Sequence, residues 1–118
     1  SNDLIIQADH NQLKQVFLNL FLNAIDAMPQ GGTLSVKSVM NTNQQLEITV
    51  ADTGVGIAKK DLAHIFDPFF SKKETGTGLG LAICFGIIKE HKGLIKVESV
   101  VGKGTMFRIV LLESRKES

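Results

Sequence analysis

Apolar residues recur every three or four positions along two stretches of the chain, and this spacing predicts two helices. The first stretch, residues 10–28, follows the good N-cap Asp9 and ends at Pro29. Its apolar positions are Leu13, Val16, Phe17, Leu20, Ala24 and Met28. The second stretch, residues 78–91, is strongly apolar. Because the first helix is apolar nearly all the way round, we expect it to be buried on several sides.

Five shorter stretches show the alternation or the apolar run of a β-strand. They are residues 4–8, 33–40, 46–52, 94–100 and 105–112. A polar loop, residues 41–45, joins the second stretch to the third and predicts an antiparallel hairpin. The regular pattern fades over residues 53–77, apart from a short helix predicted at residues 59–65. Long connections of this kind in compact domains are usually functional or mobile.

The composition is that of one globular domain, and it excludes several kinds of site. The 118 residues are 43% hydrophobic, and 13 basic against 12 acidic side chains give a net charge of +1, which argues against a nucleic-acid surface. The one cysteine, Cys84, excludes a disulfide framework and a cysteine-based zinc site, and we expect it to be a small buried residue. No apolar run approaches the roughly 18 residues of a membrane span.

One stripe of the first helix is polar. Gln15, Asn19, Asn23 and Asp26 recur at intervals that place them on one face. A solvated face is one interpretation, but asparagine is a poor helix former and exposed faces usually carry Glu, Lys or Gln. The other interpretation is that the asparagines offer neutral oxygen ligands to Mg²⁺ that arrives bound to phosphates and keeps several waters.

The motif Asp52-Thr53-Gly54-Val55-Gly56 directly follows a predicted strand. Since Asp and Gly both favour turns, a plain strand-ending turn is one interpretation. The other is a rigidly held carboxylate that accepts a hydrogen bond from an exocyclic amine, next to glycines that let the backbone approach a flat ligand closely. The residues alone leave both interpretations open.

Most of the glycines are concentrated in three clusters. Seven of the eleven lie there: Gly54, Gly56, Gly76, Gly78, Gly80, Gly102 and Gly104. The segment 76–80 stands where a long loop becomes a helix, and backbone amides at a helix N-terminus bind phosphate oxygens well. It is neither a Walker loop, which needs Lys-Ser/Thr after its last glycine, nor a dinucleotide fingerprint, because Leu81 stands where that motif needs glycine. The segment 102–105 is a strand-joining turn by default.

Five motifs in this order resemble the catalytic, ATP-binding domain of two-component sensor histidine kinases, in the superfamily shared with gyrase B, the heat-shock chaperone ATPase and MutL. They are Asn19-Leu20-x-x-Asn23-Ala24, Asp52-Thr53-Gly54-Val55-Gly56, Phe66-Asp67-Pro68-Phe69-Phe70, Gly76-Thr77-Gly78-Leu79-Gly80-Leu81 and Gly102-Lys103-Gly104-Thr105. The run around the phenylalanines is most similar to sporulation and nitrogen-regulatory kinases. The resemblance implies a Bergerat-type α+β fold, a two-layer sandwich in which a mixed, mainly antiparallel sheet is backed by three helices.

The resemblance also implies roles for individual residues. Asn23 would coordinate Mg²⁺, with Asn19 nearby at the triphosphate of ATP. Asp52 would bind the adenine amine, supported by Thr105, in a pocket that Gly54 and Gly56 shape. The phosphates would lie at the hinge of an ATP lid, about residues 58–77, and the residues expected to contact or position them are Lys72, Lys73, Gly76, Thr77, Gly78, Leu79 and Gly80.

Two features of the chain shape the function that the resemblance implies. Related ATPases carry a glutamate base where this chain has Asn19, which cannot take a proton at neutral pH, so phosphoryl transfer is favoured over hydrolysis. The three histidines (His10, His64 and His91) lack the sequence context of a phosphoacceptor. We therefore expect residues 1–118 to be one catalytic domain of a larger kinase, which donates the γ-phosphoryl group of ATP to a histidine on its own dimerisation domain, with a response regulator downstream.

Two other functions remain open on these residues. One is a serine kinase of the same fold that acts on a protein partner, and the other is a non-catalytic binding module gated by nucleotide. In each case we expect no nucleic acid and no direct membrane contact by this domain. We expect a cytoplasmic location, even if the parent protein is anchored in a membrane.

Overall fold

Three helices and four strands make up the part of the chain that the computed structural model describes, residues 10–40, 45–68 and 80–112. In chain order they are α1 His10–Asp26, β1 Leu34–Met40, β2 Gln45–Asp52, α2 Lys59–Leu62, α3 Gly80–Glu90, β3 Leu94–Val100 and β4 Gly104–Leu112. The sequence pattern predicts each of them to within a few residues. The strand predicted at residues 4–8 lies outside the described residues.

The helices are shorter than predicted because tight turns replace their last residues. After α1, the Met28 amide donates to the Ile25 carbonyl at 3.0 Å, which tightens the chain before Pro29. After α2, the amides of His64 and Asp67 each donate to the carbonyl three residues back, at 2.9 Å. Within the three described ranges, no helix combines the length and the apolar character needed to cross a bilayer.

The strands form one antiparallel sheet in the order β1-β2-β4-β3. Two hairpins, β1–β2 and β3–β4, lie side by side, and the pairing of β2 with β4 joins them. This arrangement confirms the predicted α+β fold with a mainly antiparallel sheet backed by three helices. Because β2 and β4 are the two central strands, residues at their ends are held by neighbours on both sides.

One face of the sheet packs against α1 and α3 and forms the core. In register, Val50 lies opposite Phe107 and Ile48 opposite Ile109, while Ile95 lies on the other side of Ile109. These side chains pack against buried residues of the two helices, which are Val16, Leu20, Cys84, Ile87 and Ile88. Fully burying an aliphatic or aromatic side chain contributes roughly 1.5–3 kcal/mol, so this layer supplies most of the stabilisation.

The first part of the predicted ATP lid packs against the same core. Ile65 is buried, and the ring of Phe66 lies 5.3 Å from that of Phe85 and 6.4 Å from that of Phe107 between centroids. Asp61 of α2 is also buried. Residues 58–68 are therefore an integral part of the domain, and residues 69–77 of the predicted lid lie outside the described residues.

Candidate functional site

The apolar face of the sheet ends in a row of polar side chains. In register, Asp52 at the end of β2 lies opposite Thr105 of β4, and Thr105 lies opposite Ser99 of β3. Thr105 is buried, while Asp52 and Ser99 are half-buried. Residues opposite each other on neighbouring strands point to the same face, so these three groups stand together at one end of the sheet.

Asp52 uses one of its two carboxylate oxygens to close a turn. Its Oδ1 accepts a hydrogen bond from the Gly54 amide at 2.8 Å, the turn in which an aspartate bonds the backbone two residues on. Its Oδ2 accepts no hydrogen bond from any residue in the described ranges. The carboxylate therefore closes a turn with one oxygen, and its role as an acceptor for an exocyclic amine stays a prediction for the other.

The loop after Asp52 is fixed between two distant parts of the chain. The Val55 amide donates to the Ala27 carbonyl just after α1 at 2.9 Å, and the Val55 carbonyl accepts from the Gly102 amide at 2.8 Å. Ala27 in turn bonds through its amide to the Asn23 carbonyl at 3.0 Å. Two backbone hydrogen bonds therefore connect the polar stripe of α1 to the loop that follows Asp52.

The glycines of this region allow backbone to pack on backbone. A Cβ at Gly54 would collide with the Ala27 carbonyl, and one at Gly56, which has a φ of +79°, would collide with the Val100 carbonyl. A Cβ at Gly104 would collide with the Asp52 carbonyl oxygen. At these positions the glycines thus allow a close approach of two backbone segments of this chain, rather than of a ligand. Any shaping of a ligand pocket by Gly54 and Gly56 is indirect.

The polar stripe of α1 reaches the start of α3. Asn19 is half-buried, and its Nδ2 donates to the Gly80 carbonyl at 3.2 Å. Asn23, one turn further along, is also half-buried, whereas Gln15 and Asp26 are exposed. Asn19 and Asn23 are therefore less exposed than the two outer members of the stripe, and Asn19 connects α1 to the first residue of α3.

Cys84 is the buried residue that its apolar surroundings predict. Its side chain is inaccessible, and its Sγ donates to the Val16 carbonyl at 3.5 Å, across the interface between α1 and α3. Burial raises the pKa of the thiol from 9.0 to about 11, partly offset by a hydrogen bond with the Asn19 side chain. The thiolate, the reactive form, is thus strongly disfavoured at neutral pH.

The raised pKa of Cys84 predicts a loss of stability at high pH. Below about pH 9 the thiol is protonated in both the folded and the unfolded chain. From there to about pH 11 only the unfolded chain releases the proton, so the free energy of unfolding falls. Between pH 8 and pH 10 we expect this loss to reach about 1.4 kcal/mol in urea denaturation. Cys84→Ala should lack this part of the pH dependence, and an equal slope in both proteins would contradict the assignment.

The predicted phosphate-binding residues fall in two groups, of which one is described. Lys72, Lys73, Gly76, Thr77, Gly78 and Leu79 lie outside the described residues, and their roles stay predictions. Gly80 is the first residue of α3. Among the described residues, an added Cβ there would meet Asn19 Cγ alone, at an ordinary 3.9 Å.

The donor set suits a metal that arrives with its substrate. In the part of the chain that the structure describes, no three His, Cys, Asp or Glu side chains cluster as a resident metal site would require. An amide oxygen at Asn23 fits Mg²⁺, which commonly binds through one or two protein ligands together with phosphates and water.

Sequence reasoning missed Ser99. It accepts a hydrogen bond from the Ile57 amide at 2.7 Å, donates to the Gly104 carbonyl at 2.8 Å and shares a third bond with the Thr105 hydroxyl at 2.8 Å. A serine in alternation with Ile95 and Val97, on the strand that precedes the Gly102–Thr105 turn, was the available signal. It could be interpreted only with the register of β3 on β4.

Comparison with known proteins agrees with this geometry. Residues 8–115 match the family described as the histidine kinase-, DNA gyrase B-, and HSP90-like ATPase. The chain is 50% identical over 107 residues to sporulation kinase C of Bacillus subtilis, covering 91% of this chain and 25% of that protein. It is 51% identical over 106 residues to the sensor histidine kinase ZraS of Salmonella typhimurium, covering 90% of this chain and 23% of that protein.

A solved structure agrees in fold as well. Full-length ShkA in complex with AMPPNP superposes with a TM-score of 0.83 and is 29% identical, covering 100% of this chain and 25% of that one. The chain thus spans about a quarter of the length of the relatives it matches. With a match over residues 8–115 and the predicted fold confirmed, the chain belongs to the histidine kinase-, DNA gyrase B-, and HSP90-like ATPase family.

Proposed function

We propose that the chain binds ATP with Mg²⁺ and donates the γ-phosphoryl group to a histidine on a separate dimerisation domain of the same protein. The observation that carries the proposal is the pairing of Asp52 with Thr105 at the end of the sheet, joined through Ala27 to the stripe of Asn19 and Asn23. This arrangement offers acceptors for a base at one end and amides for a metal–triphosphate at the other. Because the relatives include sensor histidine kinases, they support a histidine as the group that receives the phosphoryl group.

Each end of the site has a distinct task. The second carboxylate oxygen of Asp52 accepts a hydrogen bond from the exocyclic amine of adenine, with Thr105 beside it. Asn23 supplies an oxygen to Mg²⁺, which neutralises charge on the phosphates. Residues 76–80, with Lys72 and Lys73, hold the phosphates, since amides at a helix N-terminus suit anions.

Asn19 favours transfer over hydrolysis. Its amide cannot remove a proton from water at neutral pH, and its Nδ2 already donates to Gly80. In the transfer step, an imidazole nitrogen bonds to the γ-phosphorus, the bond to the β–γ bridging oxygen breaks, and ADP leaves. The imidazole proton passes to a base outside this chain. Catalysis by this chain is then mainly positioning and charge stabilisation.

The remaining parts of the proposal concern the larger protein. Residues 1–118 act as its catalytic domain, with an ATP lid over about residues 58–77. The phosphohistidine passes its phosphoryl group to an aspartate of a response regulator. The domain works in the cytoplasm without touching a membrane.

A transfer assay tests the proposal. The 118-residue chain is incubated with γ-labelled ATP, with and without the dimerisation domain supplied as a separate chain. We expect label on that domain only when both are present, and we expect acid to release it, because phosphohistidine is acid-labile. Acid-stable label on a protein partner would favour the serine kinase instead, and tight ATP binding without transfer to the dimerisation domain would favour the non-catalytic module.

Changing Asp52 should remove the preference for adenine. Asp52→Asn keeps an oxygen for the Gly54 amide but replaces the other acceptor with an NH₂ group, which faces the adenine amine donor to donor. Leaving a buried donor unpaired costs roughly 1–3 kcal/mol, so ATP should bind about ten- to a hundredfold more weakly by calorimetry. Asp52→Ala should weaken ATP binding similarly and also destabilise the turn. Equal ATP affinity in wild type and Asp52→Asn would refute the adenine assignment.

A further inference from the structure

The hydroxyl of Ser99 makes three short hydrogen bonds at the polar end of the sheet. It joins the Ile57 amide, the Gly104 carbonyl and the Thr105 hydroxyl, at 2.7, 2.8 and 2.8 Å. Ile57 follows the loop that begins at Asp52, and Gly104 begins β4. Ser99 therefore touches both of the segments that carry the acceptors of the proposed base site.

Counting protons fixes the direction of these bonds. A serine hydroxyl has one proton and two lone pairs. The proton of Ser99 goes to the Gly104 carbonyl, which can only accept, and one lone pair receives the Ile57 amide. The bond to Thr105 must then use the second lone pair, so the Thr105 hydroxyl is the donor. With its only proton engaged, the Thr105 oxygen can take part in any further hydrogen bond solely as an acceptor.

We propose that Ser99 determines base specificity by orienting the Thr105 hydroxyl, so that the site presents acceptors to the edge of the purine that carries the 6-substituent. The inference rests on the proposed binding of adenine at Asp52 and Thr105. Two acceptors side by side suit a 6-amino group, or a water that donates beside it. They disfavour a 6-carbonyl, because a carbonyl is itself an acceptor and needs a donor. Ser99 is a positioning residue that acts through Thr105.

Removing the Ser99 hydroxyl should relax this preference. In Ser99→Ala the Thr105 proton becomes free to rotate and can donate to a carbonyl. The test compares ATP with ITP, which carries a carbonyl in place of the 6-amino group, by calorimetry on the 118-residue chain with Mg²⁺. One neutral hydrogen bond changes affinity by roughly three- to tenfold, so the ATP:ITP affinity ratio should fall by about that factor.

Matched variants separate this role from simple bracing. Ser99→Thr keeps the hydroxyl and should keep the ratio, and Ser38→Ala, on the exposed edge strand β1, should leave it unchanged. Ser99→Cys keeps the size of the side chain but has a weaker hydrogen-bond donor, so it should change the ATP:ITP ratio in the same direction as Ser99→Ala. It replaces Ser99→Ala in the test if that variant does not fold. In a Thr105→Val background, Ser99→Ala should no longer change the ratio, since the oriented hydroxyl is absent.

Two outcomes would overturn the inference, and they differ from a failure of the proposed function. If Ser99→Ala weakens ATP and ITP equally, or the ratio changes as much in the Thr105→Val background, Ser99 is only a brace. If Asp52→Asn leaves the ATP:ITP ratio unchanged, the base does not bind at Asp52, and the proposed function fails with it. A ratio that responds to Asp52→Asn but not to Ser99→Ala rejects the Ser99 inference alone.

Discussion

Replacing Asn23 with alanine is expected to abolish formation of phosphohistidine on a separately supplied dimerisation domain. In the proposed site the side-chain oxygen would complete the ligand shell of Mg²⁺ at the triphosphate, and charge stabilisation by a metal contributes several kcal/mol to such a transition state. At about 1.4 kcal/mol for each factor of ten, transfer should fall by about a hundredfold or more. The measurement is the initial rate of label transfer from γ-labelled ATP.

A control on the same helix makes this result interpretable. Asn11 is exposed near the start of α1, so Asn11→Ala removes an equivalent amide and should leave transfer unchanged. Calorimetry should show that Asn23→Ala weakens nucleotide binding more with Mg²⁺ than with a chelator. If both conditions are weakened equally, Asn23 is a packing residue, and its assignment to the metal is wrong.

The Gly104→Ala variant should be strongly destabilised. Gly104 has a φ of +135°, which L side chains rarely adopt, and its Cβ would collide with the Asp52 carbonyl where β4 begins to pair with β2. Overpacking and backbone strain together should cost about 3 kcal/mol. For a domain of this size, the melting temperature should fall by roughly 10–15 °C in a thermal unfolding scan.

Gly86 provides the opposite case in the same protein. It is exposed within α3, and an added Cβ would meet no described residue within 4 Å. Alanine is a better helix former than glycine, so Gly86→Ala should stabilise the domain by roughly 0.5–1 kcal/mol. A similar change in stability in both variants would show that the close approach at Gly104 does not constrain the fold.

The positions of helices and strands could be predicted from the sequence because their apolar spacing is regular. The stripe at Asn19 and Asn23 could also be recognised, because asparagine is an unusual residue on an exposed helix face. The turn at Asp52 could be recognised because Asp and Gly follow a strand directly. Only the family resemblance brought Asp52 and Thr105 together, because apolar spacing does not give the register between two hairpins that are distant in the chain.

The glycines and Ser99 show a second limit. The sequence shows where the glycines cluster but not which atoms approach them. Here the neighbours of Gly54 and Gly56 are Ala27 and Val100. Ser99 resembles any serine of a half-buried strand until its three partners are known. Contacts between distant segments, rather than local propensity, decide these roles.

Both backbone groups of Val55 are bonded within the protein, one to Ala27 and the other to Gly102. The loop that carries the proposed base contacts is therefore preorganised, and it loses little conformational entropy when a base docks. Adenosine without phosphates should then bind with little change in the backbone of this loop. The entropic cost of ordering the chain on nucleotide binding should therefore arise mainly at the residues that contact the phosphates. Any difference in this cost between ATP and ADP should arise there as well.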